Sequence, residues 1–267
     1  MDISEHIDAL RLEGALLADA AARAGLTAPV PTCPDWQVSD LLRHIGTVHR
    51  WAAAHPGRGL REPLDLNGGS EPVGPAPSDA ALLDWYREGH AALVDTLVAA
   101  PADVDCWSFL PAPSPLAFWA RRQAHETAVH RLDADAAAGT EGPRADTALA
   151  LDGVDELLRG FLVRPRSKLR SEEPRTVLVR ATDGPGAWRV TISQAPVVTV
   201  TADAPNGPNH PDEPGAPAEP ADLTIAGPAH ELYPLLWNRL PADRAGATTY
   251  TGDEDLLRLW RETAGIG

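Results

Sequence analysis

Residues 114–138 read SPLAFWARRQAHETAVHRLDADAAA. Ser114 is a favourable N-cap and Pro115 takes the first helical position, where its missing N–H costs nothing. A helix is therefore predicted from Leu116 to about Ala138. Within it Glu126 and His130 stand at i and i+4 and project from one face, as a pair of helical metal ligands must. The same spacing is also that of a common solvated pair, and spacing alone leaves both readings open. His125 does not join them. It is out of phase with His130 by about 140° of helical rotation, and Val129 stands where the zinc-protease motif H-E-x-x-H requires histidine.

Upstream, three further segments carry the helical period. Ile3, Ile7, Leu10, Leu16 and Leu17 mark a first helix within residues 3–24. After a proline-rich turn from Pro29 to Pro34, Val38, Leu41, Leu42, Ile45, Val48 and Ala52 form the apolar face of a second helix, which carries His44 and His49. A Gly/Pro-rich loop runs from Gly57 to Pro77, and Ser78 then caps a third helix with Leu82, Leu83, Tyr86, Leu93 and Leu97 on one side. A fifth helix, Asp146 to Leu162, completes an all-helical region expected to form a bundle.

The period changes after Arg166. TVLVRATD (176–183), AWRVTIS (187–193) and PVVTVTAD (196–203) are Val/Thr-rich strands, with Asp183 to Gly186 as a turn between the first two. ADLTIAG (221–227) reads as another strand, and AHELYPLLWNRL (229–240) and DEDLLRLWRETA (253–264) read as helices around a last short strand. The segment from Ala202 to Ala221 is rich in Pro, Gly, Asp and Asn and reads as a flexible loop. The fold class is thus α plus α+β, with residues 1–165 as the helical bundle and 166–267 as a small α+β domain.

Composition narrows the function. The 267 residues are 43% hydrophobic, enough for a sizeable core. A net charge of -15 argues against a nucleic-acid partner, whose binding rests on clustered Lys and Arg; lysine occurs once, at Lys168. The start, MDISEHIDALRLEG, is not a secretory signal, and no stretch approaches the roughly 20 apolar residues of a membrane span. A cytoplasmic protein acting on a small molecule, as a monomer or homodimer, is expected. Cys33 and Cys106 are too few for a disulfide framework.

Three separated stretches carry a resemblance: VPTCPDWQVSDLLRHIGTVHRWA (30–52), FWARRQAHETAVHRLDAD (118–135), and AGPAHELYPLLWNRL (226–240) with TGDEDLLRLW (251–260). Together they resemble the mycothiol-dependent maleylpyruvate isomerase family, within the wider DinB-like metalloenzyme superfamily, over nearly the whole chain. The resemblance implies a DinB-like four-helix bundle that binds zinc or another divalent metal, and a C-terminal domain similar to sterol-carrier folds. It places the metal ligands on His44, Glu126 and His130, with one histidine on the second helix joining the helical pair. It places a basic catalytic and cofactor-binding residue on Arg239, suited to an anionic substrate. Two features depart from the family pattern: Asp35, where relatives often have glycine, and the long insertion from Ala202 to Ala221.

Three protein ligands leave an open metal position. A thiol such as mycothiol bound there is held as thiolate, for cis-trans isomerisation of a maleylpyruvate-like substrate or for thiol S-transfer. A metal-dependent hydrolase or a non-catalytic metal-binding protein of the same fold are the alternatives. Among other residues, Arg121 and Arg122 could line the site but read first as a solvated face or as partners for acids such as Asp133. His49, one turn beyond His44, could support the site but reads first as an exposed helix residue. Cys33 could approach the site from its turn but reads first as a small buried side chain. The tryptophans read as core, with Trp36 and Trp119 as candidate walls of the pocket.

Overall fold

The computed structural model describes residues 1–66, 73–201 and 220–265. The expected flexible loop of 202–221 lies, up to residue 219, outside the described residues. The chain forms two compact units, Met1–Pro143 and Arg144–Gly267.

The first unit consists of α1 (Ile3–Ala24), α2 (Val38–Arg58), α3 (Asp79–Ala99) and α4 (Pro115–Ala137). Their starts follow the capping chemistry of the sequence. Asp2 and Glu5 form a reciprocal capping box at α1, with Glu5 N donating to Asp2 Oδ1 at 2.9 Å and Asp2 N to Glu5 Oε2 at 2.6 Å. At α4, Ala117 N donates to Ser114 Oγ at 3.1 Å. Ser78 precedes α3 as expected, but its side chain makes no capping hydrogen bond.

The apolar faces meet in a core that includes Leu17, Leu41, Leu42, Ile45, Leu82 and Tyr86, all fully buried. Glycine lets α2 and α3 approach. A β-carbon on Gly46 would stand 2.3 Å from the Trp85 ring, and one on Gly89 would stand 2.1 Å from the Arg50 guanidinium. Between α1 and α4 the contact is ionic: Arg131 Nε donates to Glu13 Oε2 at 2.7 Å, and its Nη1 to Asp135 Oδ2 at 2.7 Å. All three side chains are buried, so each charge depends on its partners.

The second unit begins with α5 (Thr147–Asp155), capped by Asp146, whose Oδ1 accepts from Leu149 N at 2.8 Å. A π-helical turn, Glu156–Phe161, continues it. The sequence reading places this helix in the bundle and the boundary at 165. In the structure it packs within the second unit, where Trp237 Nε1 donates to Gly153 O at 3.0 Å and Trp188 Nε1 to Asp155 Oδ1 at 3.0 Å. Gly153 lies directly against the Tyr233 ring, where any β-carbon would collide. Helical period marks α5 as a helix but not the unit it joins.

The strands fall close to their expected positions: β1 (Arg175–Ala181), β2 (Ala187–Ile192), β3 (Val198–Thr201), β4 (Leu223–Gly227) and β5 (Thr249–Gly252), with α6 (Ala229–Leu236) and α7 (Asp255–Thr263) flanking the last. Their order in the sheet is β3-β2-β1-β4-β5. Neighbours run antiparallel except β1 and β4, which are parallel. Val177, Val179 and Ala181 on β1, and Trp188, Val190 and Ile192 on β2, are buried at period two, as a sheet with one covered face requires. No helix among the described residues is long and apolar enough to cross a membrane.

The end of α6 sets the course of the chain through Arg239. Asn238 has φ of 59°, in the left-handed region. Asn238 N donates to Leu235 O at 3.1 Å and Arg239 N to Pro234 O at 2.7 Å, the bond pair of a Schellman cap. Asn238→Gly is expected to be nearly neutral, because glycine takes this conformation without strain. Asn238→Val is expected to cost about 1–2 kcal/mol in urea unfolding. Equal stability of the two variants would show that the left-handed residue does not hold this end.

Candidate metal centre

Two elements and one turn build the centre. The turn before α2 closes on itself: Cys33 N donates to Val30 O at 3.0 Å, Trp36 N to Cys33 O at 2.8 Å, and Val30 N to Trp36 O at 2.9 Å. It thereby holds out Thr32, Cys33 and Trp36. α2 follows and carries His44. On α4, Arg122, Glu126, His130 and Asp133 stand at i, i+4, i+8 and i+11, one polar stripe along a helix that is otherwise largely buried.

His44, Glu126 and His130 come together, with one donor atom of each within 4.8 Å of the others. His44 Nε2 lies 3.5 Å from Glu126 Oε1, and His130 Nε2 lies 3.4 Å from the same oxygen. A tetrahedral centre with ligand bonds of about 2.0–2.1 Å has its ligand atoms about 3.3–3.4 Å apart. Each nitrogen therefore stands from the shared oxygen at close to the spacing a zinc ion imposes, and the N, N, O donor set is one zinc accepts.

The second oxygen of Glu126 and the second nitrogen of His130 are engaged. His130 Nδ1 lies 2.8 Å from Asp133 Oδ2, and Asp133 is fully buried. With the proton on Nδ1, facing the carboxylate, Nε2 presents its lone pair to the cluster, the arrangement of a carboxylate–histidine–metal triad. Arg122 Nη2 donates to Glu126 Oε2 at 2.9 Å, which leaves Oε1 toward the histidines. Burial penalises the Glu126 carboxylate, but hydrogen bonds from His130 and His44 and the Arg122 charge outweigh it and hold Glu126 well below the usual carboxylate range. For His130, burial works against the charged ring, while Asp133 and Glu126 raise it to about 9. The His130 shift reflects the negative charge that Asp133 and Glu126 place around its ring, and the Glu126 shift reflects the donors gathered on that carboxylate.

Trp36 faces this cluster. Its ring is stacked at 18° on His130, with centroids 6.1 Å apart, and tilted against His44 at 5.0 Å. Trp119 is instead a core residue, stacked on His55 at 4.7 Å. Arg122 is 2% exposed, so its expected place on a solvated face is corrected: its charge is taken into the stripe by Glu126. His49 is likewise fully buried rather than exposed. Its Nε2 lies 2.9 Å from Thr127 Oγ1, a contact between α2 and α4 beside Glu126, and burial together with His90 holds it well below the usual histidine range. Cys33 is half-buried, its Sγ 3.8 Å from Asp133 Oδ2. His125 faces the His6 ring, with centroids 6.1 Å apart.

Asp133 and Thr32 are the residues that sequence reasoning missed. Asp133 carried a signal, since it stands at i+3 from His130 and a ligand histidine needs an acceptor for its second nitrogen. Thr32 carried none. Arg239, in the second unit, is half-buried beyond the α6 cap, its Nη1 donating to Trp237 O at 3.0 Å.

Comparison with known proteins agrees with this architecture. Residues 7–135 match the family model described as the mycothiol maleylpyruvate isomerase N-terminal domain, and residues 148–259 match the one described as the MDMPI C-terminal domain. No curated protein sequence matches the chain. Among solved structures, the crystal structure of a mycothiol-dependent maleylpyruvate isomerase matches with a TM-score of 0.57 at 13% identity. A histidine-to-alanine mutant of such an enzyme matches with a TM-score of 0.59 at 12% identity. Each alignment covers 94% of this chain and 93% of the other. At such identity the likeness shows a shared fold.

Proposed function

As the chain belongs to the mycothiol maleylpyruvate isomerase family, its two domain models together spanning most of its length, we propose that it is a divalent-metal-dependent enzyme that uses mycothiol to isomerise a maleylpyruvate-like substrate. The observation that carries this reading is the convergence of His44, Glu126 and His130 at zinc-like spacing. A bound zinc ion would lower the pKa of a thiol in its open position and polarise a neighbouring carbonyl.

The chain's own residues do the rest. With the His130 Nδ1 proton toward Asp133, and with Arg122 fixing the Glu126 carboxylate, two of the three donors are oriented before any ligand arrives. Trp36 closes one side of the imidazole pair with an apolar face. Arg239 is assigned to the substrate or cofactor carboxylate, for which a planar guanidinium fork is suited.

Mycothiol, when bound, would supply a thiolate for reversible addition to the cis double bond, which would let that bond rotate and would return the thiolate unchanged with the trans alkene. Were the reaction to stop after addition, or to displace a leaving group, the same residues would serve thiol S-transfer. Such chemistry fits a cytoplasmic enzyme with a reduced thiol supply.

The test is turnover of maleylpyruvate on protein of known metal content, with and without mycothiol. The proposal expects fumarylpyruvate only when both are present. Fumarylpyruvate formed without a thiol would remove mycothiol from the reading, and cleavage of the substrate with uptake of water would move it to a hydrolase.

A further inference from the structure

The metal reading leaves open how a side chain as mobile as a carboxylate is kept aimed at His130. The Asp133 carboxylate uses Oδ2 toward His130 Nδ1 at 2.8 Å. Thr32 Oγ1 donates to the other oxygen, Oδ1, at 2.5 Å. Thr32 lies 101 residues earlier, on the turn before α2. That turn is closed by its backbone hydrogen bonds, and it also brings Cys33 to the same carboxylate and Trp36 to both imidazoles.

We propose that Thr32 is a positioning residue for the metal centre, acting through Asp133 on His130. This rests on the metal reading above. The chain of contacts is Thr32 hydroxyl, Asp133 carboxylate, His130 Nδ1, leaving Nε2 as the donor atom. With the Thr32 hydroxyl withdrawn, the buried Asp133 carboxylate is held by one bond fewer and can turn away from His130 Nδ1. A ligand histidine without its outer partner loses its orientation. Two effects compete, since a donor on Oδ1 also draws charge away from the oxygen facing His130. Orientation wins here, because the carboxylate has to hold one direction to serve the imidazole at all. The contact also couples the turn to α4, so that Trp36 and His130 are placed by one rigid segment.

The experiment is a metal-affinity measurement by competition with a chelator, on metal-free protein reloaded with zinc, accompanied by the melting temperature of each metal-free protein. Thr32→Val removes the hydroxyl and keeps the shape, and is expected to weaken zinc binding by about tenfold. Thr32→Ser, which keeps the hydroxyl, is expected to stay within about twofold of the unmodified protein. Thr32→Ala should repeat the loss of Thr32→Val if the valine is poorly accommodated. In an Asp133→Asn background, Thr32→Val is expected to cause no further loss, the signature of action through that carboxylate. Unchanged zinc affinity in Thr32→Val, or an equal loss with and without Asp133, would overturn the proposal. If the unmodified protein holds zinc and only the Thr32 effect is absent, the metal reading stands alone. If the unmodified protein binds no divalent ion, both fall.

Discussion

Replacing Glu126 with glutamine is expected to leave the protein folded, to remove its divalent ion, and to reduce turnover on the order of a thousandfold. The amide preserves the shape of the side chain and an oxygen for Arg122, but it carries no charge for the metal and aims a donor N–H where an acceptor is needed. A metal centre contributes several kcal/mol of charge stabilisation, and each 1.4 kcal/mol is about tenfold in rate. His44→Ala and His130→Ala should lose metal to a similar degree, yet they should differ in stability when compared as metal-free proteins. The His44 side chain is 33% exposed and its removal uncovers little. Removal of His130 takes the imidazole from Asp133, a carboxylate with no exposed surface. Breaking such a buried pair costs about 3–5 kcal/mol, so His130→Ala should melt well below His44→Ala. Metal analysis and thermal unfolding on the three proteins check both parts, and retention of one ion per chain in all three would remove the centre from these residues.

Arg239→Ala is expected to lower kcat/KM by roughly 10- to 150-fold with metal content intact, on the scale of about 1.5–3 kcal/mol for a hydrogen bond to a charged group. Arg239→Lys keeps the charge and loses the planar fork, so it should be impaired but less so. The side chain already gives one N–H to Trp237 O. A purely structural arginine would therefore lower stability in both variants and leave the kinetics of the folded fraction unchanged. Kinetics at equal zinc loading, with KM and kcat resolved separately, distinguish the two. Unchanged values in both variants would withdraw Arg239 from the reaction.

Within the α4 stripe, the common face of Glu126 and His130 was legible from helical phase, because two residues four apart on an unbroken helix have no freedom to face different ways. Their reading as metal ligands rather than a solvated pair needed the resemblance. His44 needed the resemblance, since choosing among the histidines of α2 requires knowing how that helix is rotated against α4. His49 shows the difficulty: its buried position comes from a hydrogen bond to Thr127 that no pattern in either helix announces. Arg122 was misjudged for a related reason. An arginine on a helix is ordinarily solvated, whereas this one is buried with its charge paired to Glu126.

Strands and helices of the second unit were legible because the residue period changes from 3.6 to 2 after Arg166. The membership of α5 was not. It depends on the small surface of Gly153 and on the indoles of Trp188 and Trp237, contacts that span up to 84 residues of sequence. Thr32 was out of reach for the same reason, as a loop hydroxyl that matters only through a distant carboxylate.

The central claim is that a metal held by His44, Glu126 and His130 binds the thiol as thiolate. Cobalt(II) substituted into the protein reports this directly, because a thiolate ligand adds an intense near-ultraviolet charge-transfer band that a neutral thiol or water does not. Titration with mycothiol at neutral pH is expected to produce that band at one equivalent per chain, with release of about one proton as the thiol ionises on binding. A cobalt spectrum that stays unchanged through saturating mycothiol would contradict the account.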